Sequence, residues 1–217
     1  MSEIALINKN HLKTSRDYLA RMINDKVHCM EKALEFGKDY WDGDRKYGYG
    51  GYYYDGRWKE IARELITRYE LTEKSKILDF GCGKAHLLFE IQKEIKCEIV
   101  GIDISDYALK NAPEEIQSSL QVGGIKALSS FTENSFDLVI SLMTLHNFNL
   151  KELAEVIPSI EKISKQSFIA MESYRSPQEL FNLQCWALTC KSFLDPDEWK
   201  WLFEQFSFHG DYELLFF

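Results

Sequence analysis

Apolar positions recur along this chain with two periods, and the change between them divides it. Tyr18, Met22, Met30 and Leu34, with Leu19, Ile23 and Val27, recur at helical spacing and predict a helix between about residues 15 and 36, with Gly37 as its stop. Ile61, Leu65 and Ile66 give a second stripe, predicting a helix from Trp58 to Tyr69. From residue 76 the pattern alternates. KILDF (76–80) reads as a buried strand and Lys84–Glu94 as a helix with Leu87, Leu88 and Ile91 inward. CEIVGID (97–103) reads as a strand, and Ser105 as the N-cap of a helix to Ser118. A weak strand at Leu120–Gly123 is followed by a strong one, FDLVIS (136–141), a helix over Leu150–Ser164, and the strand SFIAME (167–172). Asp195-Pro196 starts a helix to Phe206, and DYELLFF (211–217) is a terminal strand. Strands alternating with helices predict an α/β fold: a sheet of six or seven mostly parallel strands covered on both faces. Only one clear strand follows Pro196, so the last strand is missing or is supplied by Phe206–His209.

Between the first two helices the composition shifts. Residues 39–58, DYWDGDRKYGYGGYYYDGRW, hold five of the chain's 12 glycines and six of its 11 tyrosines. A loop this rich in aromatics and glycine suits a lid, since tyrosine faces attract a cation and glycines allow closure. The expected organisation is an N-terminal helical cap with this lid (1–75) followed by a binding domain (76–217). Charge follows the same division, with a net of +1 over residues 1–75 and −9 over 76–217. The total of −8 argues against a general nucleic-acid binder. Five cysteines without CxxC spacing read as reduced thiols, and no His/Asp cluster is spaced for a metal. No apolar run approaches the ~18 residues of a membrane span. The expectation is a cytoplasmic protein acting on a small molecule without nucleic acid or membrane, with homodimerisation left open.

The segment that carries chemistry is Ile77-Leu78-Asp79-Phe80-Gly81-Cys82-Gly83-Lys84-Ala85, a strand entering a glycine turn that opens a helix. Such a turn brings backbone N–H groups close to a nucleotide-like ligand. The dinucleotide fingerprint fails because His86 stands at the third glycine position, and the P-loop spacing fails too. Instead Asp79 precedes the first glycine by two, and Asp103 ends the next strand 20 residues after Gly83. A carboxylate at that strand end can accept both hydroxyls of a ribose. Asp79 would repel a pyrophosphate and attract an ammonium or a sulfonium.

These motifs, with ENSFDLVISLMTLHNF (133–148), resemble the class I S-adenosylmethionine (SAM)-dependent methyltransferases over roughly residues 75–172. The resemblance implies a Rossmann-like sheet and SAM as cofactor. It implies that Asp79 reaches the amino group of the methionine moiety, Gly81 and Gly83 line its path, and Asp103 holds the ribose. Ile104 would pack on adenine, and Leu142 would add backbone to the wall. Two positions depart from the pattern: Ala85 replaces a third glycine, and Ile125 stands where an acidic residue usually meets adenine, leaving a backbone group at Lys126. On the substrate side His146 is the candidate catalytic base, beside Glu172, with Arg45, Tyr47, Tyr49, Tyr52 and Arg57 of the lid. The stretch 39–58 together with WALTCKSFLDPDEW is similar to bacterial methyltransferases associated with surface-polysaccharide modification, which implies a sugar or nucleotide-linked sugar acceptor. Two other readings stay open: a protein or peptide methyltransferase with an open groove, and a non-catalytic SAM-binding partner subunit.

Overall fold

A computed structural model describes residues 1–8 and 16–217. Seven strands form one sheet: β1 Ser2–Glu3, β2 Lys76–Phe80, β3 Glu98–Asp103, β4 Leu120–Val122, β5 Leu138–Leu142, β6 Ser167–Glu172 and β7 Asp211–Leu215. Their order is β1-β7-β6-β5-β2-β3-β4, and every pairing is parallel. Ten α-helices among the described residues surround it: α1 Tyr18–Ile23, α2 Lys26–Leu34, α3 Lys38–Asp42, α4 Lys59–Arg68, α5 His86–Ile95, α6 Asp106–Lys110, α7 Ile125–Leu128, α8 Leu150–Ile163, α9 Pro177–Trp186 and α10 Pro196–Gln205.

The central strands β2, β5 and β6 are largely apolar because both faces are covered, whereas the edge strands β1 and β4 are mostly exposed. Along β6, Phe168 and Ala170 pack on one side with Ile61 and Leu65 of α4 and Leu88 and Ile91 of α5. Ile169 and Met171 pack on the other with Val156 and Ile160 of α8 and Trp199 and Phe203 of α10. The first of these layers includes Ile7, Ile61, Leu65 and Tyr69, so residues before 76 share the core of the binding domain.

Three expectations need correction. The edge beyond β7 is not filled by Phe206–His209, which form no strand; Ser2–Glu3 pair there in parallel with Asp211 and Tyr212. The buried Glu213 carboxylate holds the following residues by accepting the amides of Leu6, Ile7 and Asn8 at 2.7–2.8 Å. The helix expected from Ser105 stops at Lys110, and a 3-10 turn, Glu114–Ser119, follows Pro113. Finally, the helix expected over 15–36 (its first residue outside the described ones) is two helices broken at Asp25, which takes a left-handed φ of 46°. Its apolar stripe faces outward, with Leu19, Ile23 and Val27 59%, 74% and 69% exposed. The polar face turns inward because Lys26 Nζ donates to the carbonyls of Cys185 and Ala187 at the end of α9, and Arg21 lies on Trp186.

Candidate functional site

Ligands of open parallel sheets bind beyond the carboxyl ends of the strands, where the strand order reverses. Here β2 lies between β5 and β3, and the turn after it carries the glycines. Gly81 (φ 82°) and Gly83 (φ 56°) both take left-handed backbone. Neither tolerates a side chain, since a Cβ on Gly81 would lie 2.1 Å from Thr144 Oγ1, and one on Gly83 2.6 Å from the Trp41 ring. Asp103 accepts the amides of Gly83 (2.7 Å) and Ser105 (2.8 Å), one on each carboxylate oxygen. The Ile104 amide is a further donor, and a carboxylate with four lone pairs can still accept a hydroxyl. Ile104 beside it is 55% exposed, an apolar surface next to the acid. Lys126 sits in the one-turn helix α7 with an exposed side chain, its carbonyl already bonded by Ser129.

Asp79 is buried, and its Oδ1 has no hydrogen-bond partner. Burial, then the charge of Asp103, pushes its carboxyl up to about 8. A buried acid without a donor needs a counter-charge, and a cationic amine supplies one. The orphaned carboxyl, the glycine cradle, the spare lone pair of Asp103 and the bare face of Ile104 together fit SAM.

Over this turn lies the stretch 39–58. Trp41 donates its indole N–H to Ser105 Oγ at 2.9 Å and stacks on Tyr49, with ring centres 5.1 Å apart. Tyr52 stacks on His86 at 5.1 Å and accepts the Trp58 N–H. Burial and the neighbouring Lys84 hold His86 down to about 4, so it is a neutral packing partner. Lys84, from the glycine turn, pairs with both oxygens of Asp42 at 2.7 Å. Asp42 also accepts Tyr107 Oη and the Tyr52 amide. The stretch is thus latched to the turn by a buried ion pair.

Two spaces lie beneath it. One, about 70 Å³, is lined by Asp79, Gly81, Gly83 and Leu142 with Trp41 and His86. The other, about 380 Å³, is lined by His146, Glu172, Tyr40, Arg16, Arg21, Arg45, Arg57, Trp186 and Leu188, among others. Tyr49, Tyr52, Trp58 and Met143 belong to both and form the wall between them. Met143 holds a left-handed φ of 56°, a strained conformation that collects at functional sites. His146 Nε2 lies 3.6 Å from Glu172 Oε2, both buried, while its Nδ1 has no partner. Burial, then Glu172, raises the Tyr49 phenol to about 12, so it is a proton donor at neutral pH.

Of the residues expected on the substrate side, the structure brings Arg45, Tyr49, Tyr52, Arg57, His146 and Glu172 to one cavity. Tyr47 is not among them; it packs edge-on to His28 and stands behind Leu188 with Cys29 and Ala33. Arg57 is already paired through Nη2 with Asp55 at 2.6 Å. Sequence reasoning missed Trp41, Lys84, Asp42, Arg16 and Arg21. Lys84 and Trp41 lay within motifs already singled out, whereas Arg21 reads as the solvated face of a helix.

Fold and turn together define a Rossmann-like methyltransferase. The chain belongs to the methyltransferase domain family, whose model matches residues 71–207. It is 30% identical over 129 residues to the mitochondrial arginine-hydroxylase NDUFAF5 of Rattus norvegicus, covering 58% of this chain and 37% of that one. It is 32% identical over 107 residues to the probable S-adenosylmethionine-dependent methyltransferase CRG1 of Saccharomyces cerevisiae, covering 46% and 36%. The matched stretch therefore spans less than half the length of these curated relatives. A SAM-dependent methyltransferase from Archaeoglobus fulgidus shares the fold, with a TM-score of 0.53, 23% identity, and 70% and 69% of the two chains covered. No helix among the described residues is long and apolar enough to cross a membrane.

Proposed function

We propose that this protein transfers the methyl group of SAM to an oxygen or nitrogen of a small polar metabolite held in the 380 Å³ cavity, with a sugar or nucleotide-linked sugar as the acceptor class. The observation that carries this reading is the pair of spaces sharing one wall. Asp79 and the glycine turn stand on one side of it, and His146 and Glu172 on the other.

Bound SAM supplies a methyl group on a positively charged sulfur, an electrophile that carries its own leaving group. The chain then has three tasks. Asp79, Asp103, Gly81, Gly83, Ile104, Leu142 and the backbone at Lys126 hold the cofactor. Tyr49, Tyr52 and Trp58 fix the direction of approach across the shared wall and exclude water, which accounts for most of what in-line displacement requires. His146 takes the proton of an oxygen acceptor, with Glu172 orienting its ring from the Nε2 side and Nδ1 left unpartnered. Residues of 39–58 cover part of this cavity, which favours a small acceptor over a peptide lying in an open groove.

Incubation with SAM and a panel of sugars, sugar phosphates and nucleotide sugars, followed by mass spectrometry, tests the reading. The expected product has gained the mass of a methylene group. Gain of an oxygen atom, or methylation of added peptides alone, would overturn it. His146→Asn should lower turnover of a hydroxyl acceptor by about 10²–10⁴ while leaving SAM affinity within about twofold.

A further inference from the structure

We infer that the Trp186 end of the large cavity is an oxyanion clamp, in which Arg21 and Arg45 grip a carboxylate or phosphate group carried by the acceptor. The inference rests on the methyl-transfer reading for what is done to the acceptor, and adds which chemical class the acceptor belongs to.

The chain carries a net charge of −8, yet three guanidiniums converge on one indole. Arg21 lies 4.8 Å, Arg45 5.0 Å and Arg16 5.4 Å from the centre of the Trp186 ring. Arg21 Nε donates to the Trp186 carbonyl at 3.4 Å, and Arg21 Nη1 to the carbonyl of Arg45. Arg45 Nη1 donates to the carbonyls of Gly48 and Tyr49 at 2.9 and 2.8 Å. All these acceptors are neutral. Among the described residues, neither Arg21 nor Arg45 is within ion-pair distance of a carboxylate.

Elsewhere in the same region cations are matched, Arg57 by Asp55 and Lys84 by Asp42. Glu172, a carboxylate lining this cavity, is held 3.6 Å from His146 and acts on Arg16, which also lies over the ring of Phe217, so the unmatched pair is Arg21 and Arg45. Burial weakens the protonated forms of Arg21 and Arg45; the charge of Arg45 adds to this at Arg21, and that of Arg16 at Arg45. Like charges gathered in a partly desolvated recess are costly unless an anion completes them. A guanidinium has five donors in a planar fork, and the bonds above leave Nη2 of both residues unused. Forks held by carbonyls and an indole face suit the bidentate grip of an oxyanion. A neutral sugar would leave the charges of Arg21 and Arg45 unmatched.

The test uses the full chain, with and without saturating SAM, titrated calorimetrically with inorganic phosphate, pyrophosphate and succinate. Neutral glucose serves as the control. The expected result is saturable binding of at least one oxyanion, weakened by salt. It should fall at least tenfold in Arg45→Gln and by a smaller factor in Arg45→Lys, which keeps the charge but loses the fork. Thermal unfolding of each variant checks folding, and Arg21→Gln repeats the test at the second fork. Preference for phosphate or for succinate identifies which oxyanion the clamp takes. Absence of binding by all three, or equal binding by wild type and Arg45→Gln, would overturn the clamp. SAM titration separates the two readings: a protein that binds SAM but no oxyanion sinks the clamp alone, and one that binds an oxyanion but cannot bind SAM sinks methyl transfer alone.

Discussion

Asp79 shows at the scale of one side chain how function and stability oppose each other. Its carboxyl, pushed up to about 8, keeps a proton in the folded protein that the unfolded chain releases near its ordinary value of ~4. Between those values the folded state binds more protons, so stability falls as pH rises and the full penalty is present above pH 8. Asp79→Asn should therefore raise unfolding free energy at pH 8.5 by about 2–5 kcal/mol and change it little at pH 4, measured by urea denaturation. The same proton must leave when a cation binds. SAM affinity should rise with pH, by up to about tenfold per unit, and level off near 8. Asp79, Gly81, Gly83 and Asp103 were legible because a strand, a turn and a helix start are local events written in consecutive residues. Arg21 and Trp41 were not, because their partners, Trp186 and Ser105, are brought near only by the fold.

Among the elements, the stretch 39–58 is latched to the glycine turn by a buried ion pair. Lys84 is buried against Asp42, so Lys84→Ala leaves a carboxylate with only Tyr107 and one amide. Thermal unfolding should register a loss of about 2–3 kcal/mol. The loosened latch should also speed SAM release, seen in stopped-flow quenching of Trp41 and Trp58 fluorescence. A pair of matched apolar replacements, Lys84→Met with Asp42→Leu, should recover most of the stability without restoring the slow release. The strand–helix alternation was readable from period alone. The edge strand Ser2–Glu3 was not: two residues have no period, and what secures them is Glu213, buried at the other end of the chain. Nor did the stripe of Leu19, Ile23 and Val27 reveal its direction, since Lys26 and Arg21 decide which face meets α9.

For the whole molecule, the N-terminal residues complete both the sheet and the large cavity, because Ser2–Glu3 pair with β7 and Ile7 lines the cavity while its amide is bonded to Glu213. Glu213→Ala should expose the amides of Leu6, Ile7 and Asn8 to hydrogen exchange and cost about 2–4 kcal/mol, with the exchange of β2 and β5 amides changed far less. The acidic chain and its arginine-lined recess divide the charge between surface and site, so an anionic acceptor would be drawn inward by the local field alone. The central claim is that the turn after β2, with Asp79 and Asp103, is a SAM site. Calorimetric titration of the full chain with SAM at pH 8, beside Asp103→Ala, tests it most directly. The account predicts saturable micromolar binding at one site, weakened at least tenfold by the substitution while the variant stays folded. No binding by the wild type, or equal binding by both, would contradict it.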